Sequence, residues 1–260
     1  METAPVSAPS AEAVCPEHPE QSSTGTCPRC GRFVCARCEV REGECVSCQR
    51  RQVLALPLAG GRARFVTAML WVCAASSAVM VLLHLWLLGS LDGGTVSVEN
   101  AEVYDTLSGL IALPATLGFF TAAIVMLTWL HLVVRTARAL GRSQEEPRWA
   151  VFAWFIPLAN LVKPYHVVRD LWVGLGEELE DASLLSGWWG AWIIGNILSR
   201  LEQSLFKQVS DSPSMLSGAL ISGIVSEAVS LVAAVLCVRV VQGLQQRLDR
   251  RRAEVADAAA

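Results

Sequence analysis

Seven of the nine cysteines in this sequence fall between Cys15 and Cys48, and with His18 they form four pairs: Cys15/His18, Cys27/Cys30, Cys35/Cys38 and Cys45/Cys48. Each pair has two intervening residues, the spacing at which one tight turn presents two soft ligands to a tetrahedral metal. Eight ligands complete two four-coordinate sites with none left over, so two Zn2+ per chain are expected. Iron uses the same ligand chemistry and stands as the alternative. A disulfide cluster or a redox-active dithiol is the other reading, and the first is disfavoured if this segment faces a reducing cytoplasm. Cys27-Pro28-Arg29-Cys30-Gly31 also carries the Gly that lets the backbone turn sharply after a second ligand.

Phe33, Val34 and Val46 are nearly the only large apolar groups of this segment. Burial alone cannot fold so short a stretch, and the metal must supply the folding free energy. With every ligand position filled by protein, the sites read as structural, with none open for water or substrate. The pattern C-x2-H-x8-C-x2-C-x4-C-x2-C-x6-C-x2-C resembles the B-box-like double zinc module that precedes membrane domains in some bacterial proteins. That resemblance implies cross-bracing, with Cys15, His18, Cys35 and Cys38 on one ion and Cys27, Cys30, Cys45 and Cys48 on the other; sequential pairing is the alternative. Between Val14 and Gln52, six arginines face five glutamates, a net of about +1. That is no phosphate-binding footprint, so nucleic acid is not the expected partner, and a cytoplasmic protein is.

The rest of the chain is of another kind. The 260 residues are 53% hydrophobic and 17% charged, with a net charge of −3 and mean hydropathy +0.42. A water-soluble domain carries about a quarter of its residues as charges. The excess lies in nearly uncharged runs at 65–88, 107–134 and 215–238, each longer than the roughly 20 residues a helix needs to cross a bilayer. A fourth run, 184–199, can span if extended past Arg200. Trp149 to Val162, broken by Pro157, is too short for a regular crossing and reads as a re-entrant or interfacial element, continued by an amphipathic Tyr165–Val173 segment. Arginines before 65, after 134 and after 238, against the acidic 92–105 loop, place both termini on the cytoplasmic face of a bacterial inner membrane. Most of the nine tryptophans lie near proposed span ends, Trp71, Trp86, Trp129, Trp149, Trp188 and Trp189 among them, as an interfacial belt does.

The expected organisation is a disordered leader with no signal-peptide pattern (1–13), the double zinc module (14–50), a linker (51–64), an all-α membrane bundle of four transmembrane helices (65–245) and a basic, then Ala-rich, tail (246–260).

Inside the bundle, Glu227 sits near mid-bilayer, where a carboxyl must face the interior, be protonated or be paired. By helical rise Asn196 is level with it, and Arg200 would have to reach down; the pair reads as a polar clasp or as an ion site. Asn160, between Pro157 and Pro164, is placed to satisfy carbonyls freed by the prolines or to cap the next turn. His84 and His131 should lie at opposite membrane faces, and only His131, His166 and Asp170 share one side.

Phe155, Ile156, Pro157, Asn160, Leu161, Pro164, Tyr165, Arg169, Asp170 and Trp172 form an F-I-P-x-x-N-L-x-x-P-Y stretch followed by R-D-x-W. The stretch resembles a bacterial membrane-domain family of unknown function over roughly residues 65–245. The resemblance implies fold and location, not an activity. No catalytic residues are assigned, since no nucleophile–base pair, phosphate loop or H-E-x-x-H pattern occurs. The leading expectation is a non-enzymatic adaptor or signalling anchor. The alternatives are a small-solute or ion transporter using Glu227 and Asn160, then a membrane-embedded enzyme at the His131/His166/Asp170 face.

Overall fold

The computed structural model describes residues 13–176, 182–209 and 215–257. Apart from Ala13 the expected leader lies outside these residues, as does the end of the Ala-rich tail. The chain begins with two antiparallel strand pairs, β1 (Val14–Cys15) with β2 (His18–Ser22) and β3 (Gly25–Thr26) with β4 (Phe33–Val34). Helices follow: α1 (Val46–Ala55), α2 (Gly60–Gly89), α3 (Val98–Ala139), α4 (Trp149–Phe152), α5 (Lys163–Leu175), α6 (Ala182–Val209) and α7 (Leu216–Asp257).

Three of these, α2, α3 and α7, are long and apolar enough to cross a membrane. Their apolar side chains point outward in large numbers: Leu82, Leu110, Leu113 and Ile124 are each about two-thirds exposed. Such surface has no place in water, and lipid is the solvent that suits it. The ends of α3 are set by local chemistry. Ser97 accepts the Asn100 amide at the N-terminus. At the C-terminus Gly141 takes left-handed geometry, φ +72°, while the amides of Gly141 and Arg142 return to the carbonyls of Arg138 and Ala137.

The helices pack as antiparallel neighbours in the order α3, α2, α7, α6. Gly118 of α3 faces Val72 and Cys73 of α2, and Tyr104 faces His84. Gly60 of α2 faces Gln245 of α7, and at the other end His84 faces Gly223. Gly187 of α6 faces Leu236, and Gly195 faces Val229 and Ser230. Small residues recur at these approaches, as close packing of membrane helices requires.

The segment between α3 and α6 has the broken character that Pro157 and Pro164 predict: a four-residue α4, turns, a 3-10 turn at Ala159–Leu161, and then α5. Phe152, Phe155, Ile156, Leu158 and Leu161 are exposed on it and form an apolar edge. α5 buries Val167, Val168, Leu171, Trp172 and Leu175. Its Trp172 ring lies on Gly243 of α7 and beneath the Arg247 guanidinium, 4.1 Å from the ring centroid.

The tryptophan belt needs correction. Trp71, Trp86 and Trp149 are exposed, whereas Trp129, Trp188 and Trp189 are buried. Each wide ring fills space between elements, and two of the indole N–H groups find internal acceptors: Trp129 donates to Gln245 Oε1 at 2.9 Å and Trp189 to the Leu161 carbonyl at 3.1 Å. Trp189 also stacks on Trp192 and meets Trp154 and Tyr165. The linker is likewise more ordered than a hinge: residues 51–55 belong to α1 and 60–64 to α2.

A methyl group added at Gly174 would land on the Arg142 carbonyl, whereas one at Gly190 would meet nothing within 4 Å. Gly174→Ala is therefore expected to destabilise the protein by about 1–3 kcal/mol and Gly190→Ala to be near neutral, as read by thermal unfolding of the full chain in detergent.

Candidate metal centre

The two strand pairs and the N-terminal turn of α1 bring all eight predicted ligands into two groups. Cys15, His18, Cys35 and Cys38 form one, and Cys27, Cys30, Cys45 and Cys48 the other; within each group the ligand atoms lie within 4.8 Å of one another. The grouping joins alternate pairs, so the sequential alternative is not the one the fold adopts. Local geometry follows from the turns. The Gly31 amide bonds the Cys27 carbonyl and Gly31 itself takes φ +71°, the left-handed turn expected after a second ligand. In the loop before Cys45, Glu42 and Gly43 also have positive φ, and Glu44 there pairs with Arg29 at 2.6 Å.

Separations between ligand atoms match a coordination shell. A thiolate–metal bond of about 2.3 Å in a tetrahedron gives a sulfur–sulfur edge of about 3.8 Å. Cys15 and Cys38 sulfurs are 3.7 Å apart, as are those of Cys30 and Cys45, and His18 Nδ1 lies 3.5 Å from Cys35 and 3.2 Å from Cys38 sulfur. All the cysteines are free thiols. Each group can therefore hold a four-coordinate metal ion with every position supplied by protein.

The thiols differ in how readily they ionise. The Cys45 amide, which donates to the Cys27 sulfur at 3.4 Å, is the main cause that lowers the Cys27 thiol to about 6. For Cys15, desolvation by burial opposes ionisation, but backbone hydrogen bonds from Glu17, Cys35 and His18 outweigh it and bring this thiol too to about 6. Burial, reinforced by neighbouring thiols, pushes Cys38 and Cys45 up to about 12. Without a cation each group therefore retains protons; an ion displaces them. A residue that the cysteine spacing does not reveal is Arg51, whose guanidinium donates to Cys48 sulfur at 3.2 Å. It sits one turn after Cys48 on α1, beside the all-cysteine group, which carries the larger negative charge. The i, i+3 spacing on a helix was the available signal.

The predicted intramembrane residues are not brought together. Asn196 is exposed and donates to the Trp192 carbonyl one turn back, and Arg200 is also exposed. Gly195, one residue earlier, is what faces α7. Asn196 thus has the expected level and the wrong rotation, because one residue turns a helix by about 100°. The neighbours of Glu227 are instead Ser77, Glu202 and His84. Asn160 lies near the other end of α6, next to the Leu161 carbonyl that receives Trp189, with its Oδ1 buried and unpartnered; α5 has no side-chain cap. His131 contacts the Pro147 carbonyl at 3.1 Å, His166 and Asp170 are exposed, and among the described residues these three do not converge.

Two metal ions per chain are expected by elemental analysis of the purified full-length protein. Because the metal-bound groups hold fewer protons than the empty ones, retention should fall as pH falls and rise with pH. Cys35→Ser is expected to lower the content to one ion or fewer.

No curated protein and no solved structure matches the chain. Residues 92–246, more than half of it, match the family described as Domain of unknown function (DUF4328), a stretch that begins after α2 and excludes the metal module. On that match this chain, a membrane-type helical bundle whose N-terminal module carries two clusters that could hold metal ions, belongs to the DUF4328 family.

Proposed function

We propose that this protein is a membrane-anchored adaptor in which two Zn2+ ions fold a cytoplasmic head whose state is relayed to the base of a four-helix membrane domain. The observation that carries this reading is the way the head is attached. Arg50 of α1 donates to the Ala256 carbonyl at 2.9 Å, and Arg252 of α7 donates to the Leu56 carbonyl at 3.1 Å. Arg41 of the metal module bonds Gln144 and the Ser143 carbonyl in the α3–α4 connection. Val53 of α1 is fully buried in the same apolar cluster as Trp129 and Leu244. Cys45 and Cys48 stand at the start of α1, so the metal group and the docked helix are one piece.

The same contacts support four crossings. The C-terminal ends of α3 and α7 both lie at the metal module, so the chain between them has to return to the far side. α6, 28 residues long and antiparallel to α7, is the element placed to do so. The arginine-rich α7 end shares that side, which agrees with a cytoplasmic head and tail in a bacterial inner membrane. Zinc is favoured over iron because the eight cysteine and histidine ligands divide into two closed tetrahedral sets, the usual arrangement of structural zinc.

Phe33 and Val14 remain exposed on the module and supply an apolar contact for a cytoplasmic protein. Transport through Glu227 and Asn160 is less well supported: Asn160 lies by Trp189 and Glu227 by Glu202, about 20 Å apart along α6.

A photo-crosslinking residue at position 33 of the full-length protein is expected to trap a defined cytoplasmic partner in cells, and Cys27→Ser with Cys30→Ser to abolish the adduct while membrane insertion persists. The adaptor reading is lost if the adduct is unaffected by removing those ligands, or if no adduct forms.

A further inference from the structure

The polar groups that the metal module does not use gather at the opposite end of the helices. His84 of α2 is fully buried; its Nε2 lies 3.2 Å from the Tyr104 hydroxyl of α3 and 3.8 Å from Glu202 Oε1 of α6. Ser226 of α7 is buried beside Glu202, and Glu227 of α7, with Ser77 of α2 next to it, is in electrostatic reach of both His84 and Glu202. His84 Nδ1 is buried against the Met80 backbone, and Ser222 Oγ is buried short of any hydrogen bond. All four long helices contribute. His84 and Tyr104 lie within about two turns of the ends of α2 and α3 that point away from the metal module, where Asp105 is an exposed neighbour of Tyr104, and Ser77 and Glu227 lie about three turns in from the ends of their helices.

Two facts limit what such a group can bind. First, its titratable members are His84, Tyr104, Glu202 and Glu227, and among the described residues no lysine or arginine is ion-paired with either carboxyl. Ionised together, the carboxylates would place two negative charges in an apolar medium with one imidazole between them, an arrangement that demands a cation. Second, there is little room. A methyl group at Gly223 would stand 2.7 Å from His84 Nε2 and 3.1 Å from Glu202 Oε1. The donor atoms also lack the convergence seen in the two cysteine groups. A hydrated metal ion needs space and several converging ligands; a proton needs neither.

We propose that His84, Glu202 and Glu227 form a proton-binding site in the membrane domain, reached from the side opposite the metal module, with Tyr104 orienting the imidazole. The exchange is a simple transfer. A proton on the Glu202 carboxyl moves to His84 Nε2, leaving a carboxylate beside an imidazolium, and the reverse step restores two neutral groups. A second proton, passed inward from solvent by way of His84 and Glu202, neutralises Glu227. The adaptor reading does not require this site, and each can fail without the other.

The test is infrared difference spectroscopy of the full chain in lipid nanodiscs, titrated between about pH 6 and 9, above the range in which exposed carboxyls protonate, so that only carboxyls held in an apolar site contribute. A protonated-carboxyl band that grows on acidification and shifts in heavy water is expected. Glu202→Gln and Glu227→Gln should each remove part of it, the double variant most of it, and Glu99→Gln, on the exposed start of α3, none. Glu202→Asp should retain the band, which separates loss of a titrating carboxyl from loss of fold. An unchanged band in a folded Glu202→Gln/Glu227→Gln protein, or the absence of such a band from the wild type, would overturn the proposal.

Discussion

Residues 14–50 can hold a shape only if something other than burial holds it. Apart from its cysteines the module's buried cluster contains one apolar side chain, Val34. A structural zinc site in a small peptide is worth about 10–16 kcal/mol at neutral pH, the scale needed to order a stretch of this length. Everything on that side of the protein then depends on coordination. The ligand turns fix β1 to β4, the last pair fixes the start of α1, and α1 presents Val53, Arg50 and the Leu56 carbonyl to α7. The candidate metal groups and the base of the membrane domain are thereby joined by one short helix.

α7 is the other organising element. At 42 residues it is about 63 Å long, twice the hydrocarbon thickness, so one part lies in the membrane and the rest projects toward the module. Its membrane half receives α2 and α6 at Gly223, and its projecting half receives α5 through Gly243 and α1 through Arg252. A displacement of α1 therefore bears directly on the helix that also carries Ser226 and Glu227.

Much of this was legible in the residues. The cysteine spacing picked out the eight residues that the fold gathers into two clusters, and the apolar runs and prolines located the long helices and the break between them. Local rules sufficed there, because turns and hydrophobic length are properties of contiguous sequence. What failed depended on helix rotation and on contacts distant in sequence. Asn196 had the right height but the wrong face, and His84, discounted because its height excluded His131, meets residues from three other helices. Trp129, Trp188 and Trp189 look interfacial by position, yet their surroundings come from other segments. The docking of α1 was hidden for the same reason: Arg50 and Ala256 lie at opposite ends of the sequence.

The central claim is that metal in the head holds the membrane domain's base in place. Hydrogen–deuterium exchange of the full-length protein in nanodiscs, with metal and after chelation, tests it most directly. The account predicts that metal loss exposes the α1 amides and also those of Arg247–Asp257 on α7 and Ser143–Glu146 after α3. If exchange rises only within residues 14–50 while the α7 end and the α3–α4 connection stay protected, the head is an independent appendage and the relay does not exist.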